Sequence, residues 1–187
     1  MEFVPILDLP DSTRSMVRDL RNQPDVRRFM YTSHEISVDE HQAWLTSLEN
    51  NPRQSVFVIM SNETLMGVVS LNAINTLHKT ADWAFYLDAA RQGKGLGSQV
   101  EFWLLNHAFT ECKLEKLNCE VLASNPAVIK MHQKFGFSIE GVRRQNILRD
   151  GVRLDVVLLG ITAEEWTARK PEMMAIMKRI TGSSSPK

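Results

Sequence analysis

Apolar positions change their period several times along the chain, and those changes mark out the elements. Residues 3–7 read as a first strand. Asp11, Ser12 and Thr13 form a helix-start signature, and Met16, Val17 and Leu20 recur at helical spacing, which predicts a helix over 14–22 ending before Pro24. A second short helix is expected at 25–29. Residues 30–34 break the period before Ser37, which with Glu40 three positions later makes a capping box for a helix running to 49. Beyond the breaker Asn50, Asn51, Pro52, strands are predicted at 55–60 and 65–72 across a turn at 61–63, then a third at 81–87. A glycine-bearing loop over 92–97 leads into a helix from 98 to about 112, on which Val100, Trp103, Leu104, His107, Ala108 and Phe109 fall at helical intervals. Strand 117–122 follows, then a helix with Pro126 in its first turn and Gly136 at its end. Strands 139–145 and 154–161 pair around the turn Arg149, Asp150, Gly151. A last helix covers 164–180 despite Pro171, with Thr162 as its cap candidate.

This order predicts a mixed sheet flanked by helices, an α/β (α+β) fold. The 187 residues suffice for one domain with a sizeable core, expected over 1–181, with the serine-rich 182–187 as a disordered tail. A composition 43% hydrophobic and 24% charged excludes collagen, coiled coil and a disordered chain. Basic and acidic residues balance at 22 each, so no overall positive field exists to hold nucleic acid or an anionic membrane. The balance is uneven along the chain. Residues 1–90 carry 7 basic and 12 acidic side chains and the rest 15 and 10, which would suit an anionic cofactor handled by the second half.

Cys112 and Cys119 fit neither a zinc ribbon nor a redox pair and read as buried free thiols. The histidines at 34, 41, 78, 107 and 132 lack metal-ligand spacing, so metal-free chemistry is expected. No G-x-S-x-G elbow offers a nucleophile, which favours direct attack between substrates over a covalent enzyme intermediate. The first residues carry no basic leader and no run of about 20 apolar residues occurs, so a cytoplasmic setting is expected.

The chemistry centres on Gln92, Gly93, Lys94, Gly95, Leu96, Gly97 and Ser98, between a strand and a helix. Missing side chains let backbone close around an anion, and the first-turn N–H groups and the helix dipole favour negative charge there. Pyrophosphate is the natural guest. The loop lacks the ending of a nucleotide triphosphatase loop and the acidic partner of a dinucleotide fold.

With its Q-x-x-G-x-G spacing, this strand, loop and helix resemble the acetyl-CoA loop of the GNAT acyltransferase superfamily, over residues 81–137. The resemblance implies a single-domain GNAT fold with a central, mostly antiparallel mixed sheet and a splayed strand pair. Loop amides would hold the CoA pyrophosphate, and pantetheine would pair with backbone near Leu87. A second motif, Asn125 to the Gly136-Phe137 close, is similar to the family helix in which Asn contacts pantetheine and Tyr faces the CoA sulfur. Here His132 stands at the Tyr position and is the implied acid. An amine must lose a proton before attacking a thioester, and Asp82, on the strand feeding the loop, is the first candidate base; its other reading is an exposed strand carboxylate.

Residues 20–31, with Ile36, Glu40, His41 and Trp44, resemble the N-acetyltransferases of pseudaminic acid biosynthesis, which acetylate the 4-amino group of a UDP-linked 4-amino-4,6-dideoxy sugar. The resemblance implies that acetyl-CoA is the donor and this UDP-amino-sugar the acceptor. Arg27 and Arg28 could meet a diphosphate, Met30 and Tyr31 a deoxy methyl or uracil, and His34, His41 and Trp44 supply polar and stacking contacts. Each of these side chains also has an ordinary reading as core or surface. The alternatives are a protein amino-terminal or ribosomal-protein acetyltransferase, a polyamine acetyltransferase drawing on Glu35, Asp39 and Glu40, and a non-catalytic acyl-CoA-binding module. Met173, Met174, Ile176, Met177 and Ile180 would cover either the domain's own core or the partner of a homodimer.

Overall fold

The computed structural model describes residues 1–91 and 95–182. The expectations for Gln92, Gly93, Lys94 and the tail 183–187 lie outside the described residues. Seven strands form one sheet: β1 (Glu2–Pro5), β2 (Ser55–Ser61), β3 (Thr64–Asn75), β4 (Thr80–Leu87), β5 (Lys116–Leu122), β6 (Ser138–Arg149) and β7 (Val152–Thr162). Their order is β1-β2-β3-β4-β5-β7-β6. Every neighbouring pair is antiparallel except β4 and β5, which run parallel because a helical crossover joins them.

Among the described residues, six α-helices cover the two faces: α1 (Asp11–Asn22), α2 (Pro24–Arg27), α3 (Val38–Leu48), α4 (Leu96–Asn106), α5 (Pro126–Phe135) and α6 (Ala163–Gly182). Alternation along the strands divides the apolar side chains between two cores. Val56, Val58 and Val68 pack under α1, α2 and α3 with Val17, Leu20, Val26 and Leu45. Ile59, Val69, Leu71, Ala81 and Trp83 face the other way, against Val100, Leu104, Phe135, Trp166 and Met173. Fully burying one such side chain contributes about 1.5–3 kcal/mol. On α6, Met173 and Met177 are buried and Ile176 and Ile180 pack against this second core, so the apolar C-terminal stretch covers the chain's own interior.

Several boundaries differ from the sequence expectation. The first strand stops at Pro5 and gives way to a 3-10 turn over Ile6–Asp8. The crossover helix begins at Leu96 rather than at residue 98, because Gly95 adopts a left-handed conformation (φ 77°) and starts the helix there. Its end is also earlier. His107–Glu111 wind into a π turn in which the Cys112 amide reaches the His107 carbonyl at 2.9 Å, and this leaves Cys112 exposed at the helix end rather than buried as expected, while Cys119 on β5 is buried. Thr162 caps α6 as expected: its hydroxyl accepts the Glu165 amide, and the Glu165 carboxylate accepts the Thr162 amide at 2.7 Å.

Among the described residues no helix is long and apolar enough to cross a membrane, and no cluster of three or more His, Cys, Asp or Glu could hold a metal ion.

Candidate active site

The parallel pair β4 and β5 holds only three rungs: Thr80 with Lys116, Ala81 with Leu117, and Asp82 with Asn118. Beyond them β4 follows β3 as far as Leu87, paired with Gly67, and β5 follows β7 as far as Leu122, paired with Val156. The two strands therefore fork, and their facing backbone groups part company. Strand polar groups opened in this way are ready to pair with an extended ligand.

The fork points toward the start of α4. Gly95 serves as its N-cap, and the amide of Gln99 makes a helical bond to the Gly95 carbonyl at 3.0 Å. Helix geometry leaves the preceding amides without intrahelical acceptors. A Cβ on Gly95 would lie 2.6 Å from Cγ2 of Ile180, and one on Gly97 would lie 3.1 Å from Sδ of Met131. Backbone without side chains is what this cradle requires. Leu87 is buried at the end of β4, Leu96 is buried behind the cradle, and Ser98 is half-buried in the first turn. Asn125 is the N-cap residue of α5 and its amide bonds to the Leu122 carbonyl at 2.8 Å, which places it where β5 ends.

On the α4–α5 side of the fork lies a buried pair that sequence reasoning missed by half. His132 on α5 is 2% exposed, and its Nδ1 lies 2.9 Å from Oε1 of Glu101 on α4, itself fully buried. The imidazole sits edge-on to Trp83 at 5.0 Å and to Phe85 at 6.2 Å, with Phe137 at 5.4 Å. Glu101 Oε2 has no partner among the described residues. Burial pushes the Glu101 carboxyl above the usual range, while His132 draws it back. Glu101 shares the helix face of Leu104, Leu105 and Ala108, so a carboxylate on an apolar stripe was the available signal.

The opposite face carries the polar groups. Asp82 is exposed there, and Asn118 donates from Nδ2 to its Oδ1 at 3.3 Å. Two residues along β5, Glu120 accepts the Tyr31 hydroxyl at 2.6 Å and pairs with Arg143 of β6. Burial first, and the bond to Glu120 next, push the Tyr31 phenol upward. Asn118, Glu120 and Arg143 were not singled out beforehand. The alternation of 116–122 sets Asn118 and Glu120 opposite the buried Leu117, Cys119 and Val121, but only the fold brings Tyr31 to them.

Of the acceptor candidates, Arg27 donates to the Ser33 carbonyl at 3.0 Å and pairs with Glu35 at 3.3 Å. Arg28 pairs with Asp25 at 3.4 Å and lies over the Phe29 ring. Met30 is half-buried against the α1–α3 core. His34 donates to Glu40 at 2.9 Å. His41 turns inward, 7% exposed, and donates from Nε2 to the Arg14 carbonyl at 2.9 Å, with Trp44 tilted beside it. The site thus gathers Tyr31 with Asp82's face of the sheet, while His41 and Trp44 serve the packing of α3. A cleft of about 460 Å³, lined by Gln23, Pro24, Asp25, Asp88, Ala89 and Ala90, opens between α2 and the end of β4.

Comparison with known proteins agrees with this geometry. Residues 6–138 match the model of the acetyltransferase (GNAT) domain. The chain is 28% identical over 119 residues to acetyltransferase PseH of Campylobacter jejuni, covering 64% of this chain and 73% of that protein. It is 23% identical over 154 residues to the spermidine N(1)-acetyltransferase of Vibrio cholerae, covering 82% and 89%. The crystal structure of spermidine N-acetyltransferase from Vibrio cholerae in complex with CoA and spermine superposes with a TM-score of 0.81 at 22% identity, over 89% of this chain and 97% of that one.

Proposed function

The chain belongs to the acetyltransferase (GNAT) domain family and transfers an acetyl group to an amine, and from that premise we propose that its donor is acetyl-CoA and its acceptor a UDP-linked 4-amino-4,6-dideoxy sugar. The cradle at Gly95 and the β4–β5 fork fit the donor: first-turn amides of α4 for the diphosphate, open strand edges near Leu87 and Asn125 for pantetheine. The bound thioester supplies the acetyl group. The amine nitrogen bonds to the acetyl carbon as the carbon–sulfur bond breaks. Asp82 takes the proton the amine gives up, His132 gives one to the departing sulfur, and solvent exchanges both afterwards.

One observation carries the choice of acceptor. Arg21 Nη1 and Arg27 Nε are buried with no partner among the described residues, so this side of the sheet holds unused hydrogen-bond donors. Burial pulls the Arg21 guanidinium below its ordinary range, and Arg27 nearby adds to the effect. An anionic group would relieve both the unmet donors, each costing about 1–3 kcal/mol, and the repulsion between like charges. Several carboxylates that a polyamine could use, the exposed Asp39 not among them, are engaged already. Glu35 holds Arg27, Asp25 holds Arg28, Glu120 holds Arg143, and Glu40 accepts the Ser37 amide at 2.7 Å as well as His34.

Acetyl transfer from acetyl-CoA should be compared for a UDP-4-amino-4,6-dideoxy sugar, a peptide with a free amino terminus and spermidine. The expected result is a kcat/KM for the nucleotide sugar at least about 100-fold above the others, about 2.7 kcal/mol. Preference for spermidine or the peptide would overturn the reading.

A further inference from the structure

The motif that places an acid at residue 132 says nothing of the side chain behind it. We propose that Glu101 is a positioning residue for His132: its carboxyl shares one proton with Nδ1 and so keeps a hydrogen on Nε2, the nitrogen left to act on the departing sulfur. The inference rests on His132 being the acid, and it deepens that reading.

The argument is one of proton counting in a dry site. Two descriptions of the pair have the same number of protons: a carboxylate beside an imidazolium, or a carboxylic acid donating to a neutral ring. In both, Nε2 bears a hydrogen. Removing that hydrogen leaves a carboxylate and a neutral ring, hence a net negative charge. The surroundings oppose this outcome, for Trp83, Phe85 and Phe137 pack around the imidazole and Glu101 Oε2 has no donor among the described residues. Burial pushes the Glu101 carboxyl upward, in the same sense.

His132 is the one basic side chain that acts on Glu101 among the described residues. The ionisable neighbour on β5 is the Cys119 thiol, which burial, and next the closeness of Glu101, hold in its protonated form. Held 2.9 Å apart and sharing one proton, the two groups act as a unit that can give up the Nε2 hydrogen when a basic thiolate appears beside it. After the proton has moved, Glu101 accepts from Nδ1–H and the ring stays in place. With Nδ1 held by Glu101, the proton is regained at Nε2. A histidine without such a partner would divide itself between two tautomers and present the wrong nitrogen part of the time.

The test combines a measurement that needs no substrate with one that does. Long-range proton–nitrogen NMR on the unmodified protein should show His132 with a hydrogen-bearing Nε2 throughout pH 6–8. In Glu101→Gln, which keeps the volume, and in Glu101→Leu, which removes polarity altogether, the ring should divide its hydrogen between Nδ1 and Nε2. With acetyl-CoA and the UDP-amino-sugar, both variants should lose at least about tenfold in kcat, with KM for acetyl-CoA within about twofold and the alkaline limb of the kcat profile moved to lower pH. A bare Nε2 in the unmodified protein at pH 7 would overturn the proposal without any variant having to fold. So would wild-type kcat and profile in Glu101→Gln. His132→Gln separates the two levels: loss there with none in Glu101→Gln sinks the pairing alone, whereas no loss in either sinks the acid role beneath it.

Discussion

Tyr31 and Glu120 are joined by a 2.6 Å hydrogen bond across 89 residues of sequence, and this bond ties the segment after α2 to the open side of the β4–β5 fork. The tie is not isolated. Arg149 donates to the carbonyls of Arg28 and Met30, and Ser33 donates to Asp150 at 3.1 Å, so the β6–β7 turn holds the same segment from its other end. Removing the hydroxyl in Tyr31→Phe leaves the aromatic face and loses the charge-assisted bond. We expect KM for the acceptor amine to rise about 3- to 10-fold while KM for acetyl-CoA is unchanged, as steady-state kinetics with each substrate varied would show.

Asp82 lies at the last rung of the parallel pair, where Asn118 can hold an amide as well as a carboxylate. Asp82→Asn should therefore fold normally and lose a base. The expected fall in kcat is about 100-fold or more near neutral pH, shrinking as pH climbs and free amine becomes plentiful without help. A pH–rate profile of both proteins checks this. A constant ratio across the range would count against the assignment.

Ser37 and Glu40 close both halves of a capping box at the start of α3. Ser37→Ala removes the acceptor for the Glu40 amide and leaves a helix donor unmet. A loss of about 1 kcal/mol in urea-unfolding free energy is expected, within the usual spread of about 0.5–2.

His41 is held neutral by burial, with its Nε2 hydrogen given to the Arg14 carbonyl. Its folded-state affinity for a proton lies below that of the unfolded chain, so the unfolded state binds more protons as pH falls. Its contribution is fully present above about pH 6.5 and declines as pH drops through the lowered folded-state range. His41→Gln, which can still donate to the carbonyl, should flatten this part of the stability-against-pH curve. Denaturant midpoints of the two proteins between pH 5 and 8 would reveal it.

How much was legible in advance follows from the distance over which each feature is determined. The capping box at Ser37, the cap at Thr162 and the close at Gly136 are set by residues three or four apart and formed as expected, although Glu165 as the second half of a box at Thr162 was not foreseen. The Gly95 start of α4 is equally local. It was misplaced by two residues because a glycine in a phosphate-type loop was not also counted as a helix cap. Glu101 with His132 and Tyr31 with Glu120 are 31 and 89 residues apart, and nothing local announces either contact. In both, a polar residue on an otherwise apolar or alternating stretch marked one end, and the partner emerged only when the sheet and crossover were assembled.

On the proposed reading of Gly95 as the donor's diphosphate seat, the close seating of Ile180 over it gives the last turn of α6 a say in how tightly the thioester is gripped. A tag fused behind that last turn, or a protease trimming it away, would unsettle the phosphate seat while the sheet stays intact. Preparations differing only in their carboxyl-terminal extension should then differ in apparent donor affinity, and a comparison of variants is sound only when that extension is held constant.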